Sequence, residues 1–256
     1  MSKLYVFLPC YNEEQNIGIL IDQWIGQKDE LASKGVDLIV CPIDDCSTDN
    51  TKAVMLSKQE QYTGSLVSPV FHEVNKNLRG GLNTSIEQFL KIGKDGDLMC
   101  LMDGDATHDP KYIQSMYDLL QEKNLDCVIA SRYQPGANVV GLKFHRKMMS
   151  DFAKIYYSMV LKVPGVKDYT CGYRIYRLSA IEKLVEKFGH EPIKEQSFAC
   201  MMEFLYKLHL CGISFGEVGF ELRYDKKQGA SKMNVFKTMK NSLFCAPKFK
   251  KLKKTM

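Results

Sequence analysis

At 256 residues and 45% apolar content the chain is large enough for a substantial core, as one large domain or two small ones, and too hydrophobic to be disordered. No stretch of about 18 consecutive apolar residues occurs, so no transmembrane helix is predicted, and the apolar run before Pro9 is too short for a signal peptide. Nine cysteines without a Cys-x-x-Cys pair point to reduced core thiols and a cytosolic location rather than to zinc, and eight lysines with no acid from Lys232 onward concentrate the net charge of +5 at the C-terminus.

Apolar runs and helical periodicities alternate through the first half. Strands are predicted at residues 4–9, 36–43, 67–74, 98–102 and 127–131, and helices at 14–33, 81–92 and 110–120, the last opened by Asp109 as cap and Pro110 at the first position. This rhythm predicts a mostly parallel sheet covered by helices. Beyond Tyr133 the pattern changes to a loop at 134–138 and a helix at 142–163 rich in Met, Phe and Tyr. A loop-to-strand segment follows at 167–177, then helices at 178–188 and 197–210 and a strand at 213–224. No linker or repeat interrupts the chain, so one continuous domain is expected.

Three predicted strands end in polar turns. Pro9-Cys10-Tyr11-Asn12-Glu13 follows the first, Asp44-Asp45-Cys46-Ser47-Thr48 the second, and Asp103-Gly104-Asp105 the fourth. Ligands of open α/β sheets bind at such strand ends. Paired carboxylates suit Mg²⁺ or Mn²⁺, which take one or two protein carboxylates and fill their shell with phosphate oxygens and water. With no side chain, Gly104 is expected to let a diphosphate approach the backbone. Each turn alone is equally readable as helix capping or a solvated loop.

Together with Ser131-Arg132-Tyr133 and the run from Asp168 to Arg174, these motifs stand in the order and spacing of family 2 glycosyltransferases. Over residues 3–233 the chain resembles that family, whose GT-A fold is Rossmann-like α/β, and within it the dolichol-phosphate or polyprenyl-phosphate mannosyltransferase branch. The remaining residues 234–256 form a basic amphipathic segment. The resemblance implies a metal-dependent, inverting transfer of a hexose from a GDP- or UDP-sugar to a polyprenyl phosphate. Pro9, Tyr11, Glu13, Asp44 and Asp45 would hold the nucleoside, with Arg79 and Gly80 near the nucleotide. Asp103 and Asp105 would bind the metal. Arg132, Arg146 and Ser150 would grip the acceptor phosphate, and Glu203 would face the donor sugar. Lys226 and Lys232 would close over the diphosphate; Lys226 stands where the family often has Arg. Thr107 and Cys171 also depart from the family's usual residues.

If the acceptor were instead a saccharide or protein hydroxyl, a base such as Asp168 would be needed. Basic and apolar residues interleave in the helix at 142–163 and at the C-terminus. They are compatible with peripheral contact at the cytosolic face of a membrane, and equally with helices packed on the core. A catalytically silent binding module is a third reading. No role for nucleic acid is expected. A processive polysaccharide synthase fits poorly, since the sole tryptophan is Trp24, as does a dinucleotide oxidoreductase, since no Gly-x-Gly-x-x-Gly follows the first strand.

Overall fold

The computed structural model describes residues 1–141, 144–225 and 235–252, with the side chains of 144–147, 149 and 235–242 outside that description. The chain runs through β1 (Ser2–Cys10), α1 (Ile17–Ile25), α2 (Lys28–Ser33), β2 (Val36–Asp44), α3 (Thr51–Gln61), β3 (Val70–Phe71), α4 (Asn77–Ile92) and β4 (Leu98–Leu101). A short turn at Pro110–Tyr112 precedes α5 (Ile113–Glu122) and β5 (Cys127–Ser131). Then come β6 (Asn138–Val140), α6 (Phe144–Leu161), β7 (Arg174–Arg177), α7 (Leu178–Phe188), α8 (Cys200–Leu210), β8 (Phe215–Gly219), β9 (Glu221–Arg223) and α9 (Val235–Leu252).

Seven strands form one sheet in the order β3-β2-β1-β4-β7-β5-β8, and β6 pairs with β9 in a second, two-stranded sheet. The β1–β2, β1–β4, β2–β3 and β5–β8 pairs are parallel. β7 is antiparallel to both its neighbours, β4 and β5. The central strands β4 and β5 are buried at every position, as the continuous apolar runs of a doubly covered sheet require. α1 lays Ile17, Leu20, Ile21 and Trp24 on the core, and α4 adds Leu82, Ile86 and Phe89.

Several predicted elements are redrawn. The helix expected at 14–33 is two helices, because the chain breaks at Gly26. The strand expected at 67–74 shrinks to Val70–Phe71 at the sheet edge, where Pro69 removes a ladder donor. The strand expected at 213–224 divides at Gly219–Phe220 and feeds both sheets. A side chain at 219 would strike the Pro135 carbonyl, so the adjacent loop lies directly on the backbone there. β6 falls in and just beyond the stretch read as loop; three residues are too few for a period-two signal.

The C-terminal helix lies against protein. Phe249 and Ala246 of α9 are buried, and the Leu243 carbonyl accepts from Tyr156 of α6. The described side chains of this segment therefore pack partly on protein, while Phe244 stays exposed. α6 buries Tyr157 and Leu161 while Met148, Phe152, Ile155 and Met159 remain exposed. No helix among the described residues is long and apolar enough to cross a membrane.

Candidate active site

Parallel pairing brings the C-terminal ends of β1, β2 and β4 to one edge, and backbone hydrogen bonds join their turns. Asp45 N–H donates to the Cys10 carbonyl at 3.0 Å, and Gly104 N–H to the Pro9 carbonyl at 3.2 Å. Because β7 runs antiparallel, its start lies at the same edge, with Arg174 opposite Leu101. The segment from Asp168 to Tyr173 therefore meets the tip of β4. A methyl group at Gly172 would stand 2.8 Å from Asp103 Oδ1.

Three non-glycine residues in these turns have left-handed backbones, Asn12 (φ 54°), Cys46 (φ 61°) and Ala106 (φ 57°), as does Asn77 (φ 59°) at the start of α4. Such conformations cost roughly 1–3 kcal/mol each and collect at functional sites. Asn12 is held by reciprocal bonds: its N–H donates to Ser47 Oγ at 2.8 Å, and its Oδ1 accepts from Thr48 N–H at 2.7 Å. Glu13 is buried, its N–H donating to Thr51 Oγ1, while half-open Tyr11 stands at the surface. Asp44 is buried and accepts from Ser47 N–H at 3.1 Å, so it shapes the second turn.

Asp45 is clamped from the other side. Its Oδ1 accepts from His72 Nδ1 at 2.7 Å and from Lys76 N–H at 2.7 Å. The far ring nitrogen, His72 Nε2, lies 2.8 Å from Thr84 Oγ1 on α4. Arg79 and Gly80 belong to the first turn of α4, not to a loop before it. A side chain at Gly81, the next residue, would strike Pro9 at 2.8 Å, so α4 packs directly on the first turn. His72 escaped sequence reading because nothing local marks a histidine in an edge segment as a partner of Asp45.

Asp103 and Asp105 are half-buried. Asp105 Oδ1 accepts from Thr107 Oγ1 at 2.7 Å and Thr107 N–H at 3.2 Å. Behind them His108 stacks on Phe220 with ring centres 5.4 Å apart, and burial holds its pKa below the ordinary value against the pull of Asp103 and Asp105. Tyr224, at the end of β9, also feels both carboxylates, although burial is the main cause of its raised pKa. Neither residue was singled out from sequence; adjacency to the acidic pair was the available signal for His108. Gly104 packs closely on the first turn. A methyl there would lie 2.6 Å from Cys10 Cβ, so its missing side chain allows packing against β1.

Arg132, half-buried, forms an ion pair with the buried Asp168. Arg132 Nε donates to Asp168 Oδ2 at 2.8 Å, Nη2 donates to Oδ1 at 2.6 Å, and the Arg132 N–H adds a third bond at 3.0 Å. Burial alone would raise the Asp168 pKa, but Arg132 and the backbone amides hold it below the usual carboxylate value. Such a carboxylate is a poor proton acceptor, which corrects its expected part as a base. Ser150 Oγ is 2.6 Å from Tyr133 Oη, and the Tyr133 ring carries Arg132 and Lys154 on its faces. Arg146 lies on α6 with its side chain outside the described residues, and Lys226 and Lys232 lie outside them entirely.

Glu203 is likewise engaged. Its Oε2 accepts from the Lys194 and Glu195 amides at 2.9 and 2.7 Å, and its Oε1 from Lys207 Nζ at 2.6 Å. It holds the loop before α8 in place. These three bonds give Glu203 a structural part that the sequence did not show.

A family model described as glycosyl transferase family 2 matches residues 5–185. The chain belongs to glycosyltransferase family 2. Curated relatives of this transferase include the polyprenol monophosphomannose synthase of Mycolicibacterium smegmatis, 25% identical over 91% of the chain and 82% of the relative. The undecaprenyl-phosphate mannosyltransferase of Micrococcus luteus is 23% identical over 91% and 88%. The GT-A fold is shared with glucosyl-3-phosphoglycerate synthase from Mycobacterium tuberculosis. Its complex with Mn²⁺, uridine diphosphate and phosphoglyceric acid has a TM-score of 0.68, 14% identity and coverage of 97% of this chain and 78% of that one. Its complex with Mn²⁺ and UDP-glucose has a TM-score of 0.64, 15% identity and coverage of 96% and 79%.

These structures correct the expectation of a lipid-phosphate acceptor as partner: solved members of the fold hold phosphoglyceric acid, a small water-soluble acid, together with Mn²⁺ and UDP. The residues here fit such a cation. Two half-buried carboxylates at one strand tip are the hard oxygen donors that Mg²⁺ or Mn²⁺ shares with phosphate. Among the described residues no cluster of three His, Cys, Asp or Glu competes for it.

Proposed function

We propose that this glycosyltransferase moves a hexose from a nucleoside diphosphate sugar to a hydroxyl of a small, soluble acceptor that carries an anionic group. The observation that carries the proposal is the hydrogen-bonded convergence of three acidic strand-end turns with the start of β7 at one sheet edge. In this reading Pro9, Tyr11, Glu13 and Asp45 line the nucleoside pocket, Asp44 keeps its turn in shape, and Arg79 and Gly80 approach from α4. Asp103 and Asp105 hold the divalent cation, and when bound it neutralises charge on the departing diphosphate as a Lewis acid. Gly172 leaves room for the Asp103 carboxylate, and Thr107 fixes the rotamer of Asp105. Asp168 orients Arg132 through a bidentate pair and takes no proton in this reading; the proton of the attacking hydroxyl passes to the departing diphosphate, whose oxygen gains charge as the bond to the sugar breaks. Arg132 Nη1 donates to no group among the described residues and offers a fixed cation to the acceptor's anionic group.

Incubation with UDP- or GDP-hexoses, Mn²⁺ and a panel of phosphorylated hydroxy acids and sugars tests this reading. Nucleoside diphosphate release should depend on acceptor and Mn²⁺, fall at least about a hundredfold in Asp103→Asn and Asp105→Asn, and leave labelled product in the aqueous phase. Label recovered only in an organic extract with a lipid phosphate would overturn the acceptor assignment. Binding of donor without turnover under any condition would overturn the enzymatic one.

A further inference from the structure

We propose that His72, backed by Thr84, is a positioning residue that makes Asp45 a reader of a single ring N–H and so selects uracil over guanine. The inference deepens the reading that Asp45 lies in the nucleoside pocket, and rests on it. Asp45 and His72 side chains are 8% and 4% exposed, so their geometry is set by the protein rather than by solvent. A carboxylate only accepts, so the hydrogen between Asp45 Oδ1 and His72 Nδ1, 2.7 Å apart, belongs to the imidazole. The same oxygen takes the Lys76 N–H at 2.7 Å. A carboxylate oxygen has about two acceptor positions, so Oδ1 is filled.

Oδ2 accepts from no group among the described residues and is the one oxygen left for a ligand. The ring cannot swing away. Its Nε2 is tied to Thr84 Oγ1 at 2.8 Å, and the His72 N–H donates to the Asp44 carbonyl at 2.9 Å. The loop from His72 to Asn75 is itself tied to the second turn, with Asn75 Nδ2 donating to the Asp45 carbonyl at 3.1 Å.

The two common hexose carriers present different edges to one carboxylate. Guanine offers adjacent N1–H and N2–H donors that pair with both oxygens at once. Uracil offers one imide N–H between two carbonyls and needs only one. With Oδ1 filled, guanine leaves a donor unpaired at a buried site, a loss of about tenfold or more in affinity. Freeing Oδ1 removes that bias.

Calorimetric titration of the intact chain with UDP and with GDP, each with Mn²⁺, tests the proposal. The native protein is expected to bind UDP at least about tenfold more tightly than GDP. His72→Leu should weaken UDP about tenfold and collapse the ratio of the two affinities. His72→Asn, whose amide can stand in for Nδ1–H, should recover most of the ratio. Thr84→Val leaves the imidazole in place but unanchored, should narrow the ratio partly, and serves if His72→Leu fails to fold by circular dichroism. A merely structural histidine would weaken both nucleotides alike.

Native preference for GDP overturns the proposal, as does an unchanged ratio in folded His72→Leu or Thr84→Val. Asp45→Asn separates the two levels of the argument. If it weakens UDP while the His72 and Thr84 variants do not, only the positioning role falls. If it changes neither nucleotide, or the native chain binds neither, the nucleoside reading falls as well.

Discussion

Asp103 sits against a backbone with no side chain, and that contact can be tested by adding one carbon. Gly172→Ala places a methyl 2.8 Å from Asp103 Oδ1 and should displace the carboxylate. Apparent Mn²⁺ affinity in nucleotide binding is expected to fall roughly 10–100-fold, the usual effect of disturbing groups around a metal ligand. The Arg132–Asp168 pair behaves differently, because its stakes are stability. Asp168→Asn leaves a half-buried guanidinium without its counter-charge and should cost up to about 3 kcal/mol in urea unfolding. The Asp168 pKa is lowered in the folded chain, so the stabilisation is present above the unfolded carboxylate value of about 3.9 and is lost as pH falls through the folded one. Acid titration of the unfolding midpoint should show a shallower acid limb in the Asn variant.

Among elements, α8 illustrates how a buried charge organises a neighbouring loop. Glu203 and Lys207 lie one helical turn apart, both almost fully buried, and Lys207 Nζ also donates to the Pro192 carbonyl at 2.6 Å. Lys207→Met removes the cation and the tie to Pro192 while preserving the apolar stem. Amide exchange at Lys194 and Glu195 should accelerate, since their acceptor then becomes an uncompensated buried carboxylate; protection equal to the native chain would reject that account. α6 and α9 show the reverse case, in which periodicity was informative but its partner was not. The apolar face containing Tyr157 and Leu161 packs inward, and α9 lies against the helix, its Leu243 carbonyl accepting from Tyr156. An amphipathic pattern states that one face avoids water and leaves open what covers it.

For the molecule as a whole, donor and metal should stabilise the fold by mass action. At a ligand concentration of about 100 Kd the gain is roughly 2.7 kcal/mol, and for a chain of this size the unfolding midpoint should rise about 5–10 °C. The rise should require UDP and Mn²⁺ together and vanish with EDTA; a shift from UDP alone of equal size would remove the metal from donor binding.

The alternation of apolar runs and helices, and the acidic turns at 44–45 and 103–105, were legible because strand burial and turn polarity are local properties of the chain. Family membership followed from the order of those turns, and residues 5–185 bear it out. Which atoms remain available for chemistry was settled elsewhere in space. Asp168 and Glu203 look like reactive acids in one dimension, yet both are engaged by several donors that folding delivers. The insertion of β7 between β4 and β5, the grip of His72 on Asp45, and the packing of Gly104 on Cys10 join residues from 27 to 94 positions apart. Local preference constrains each segment alone, whereas hydrogen-bond satisfaction in a buried site depends on every segment that reaches it. The chain's sequence thus determined its class and its acidic strand ends, and the tertiary structure decided which acids are left to act.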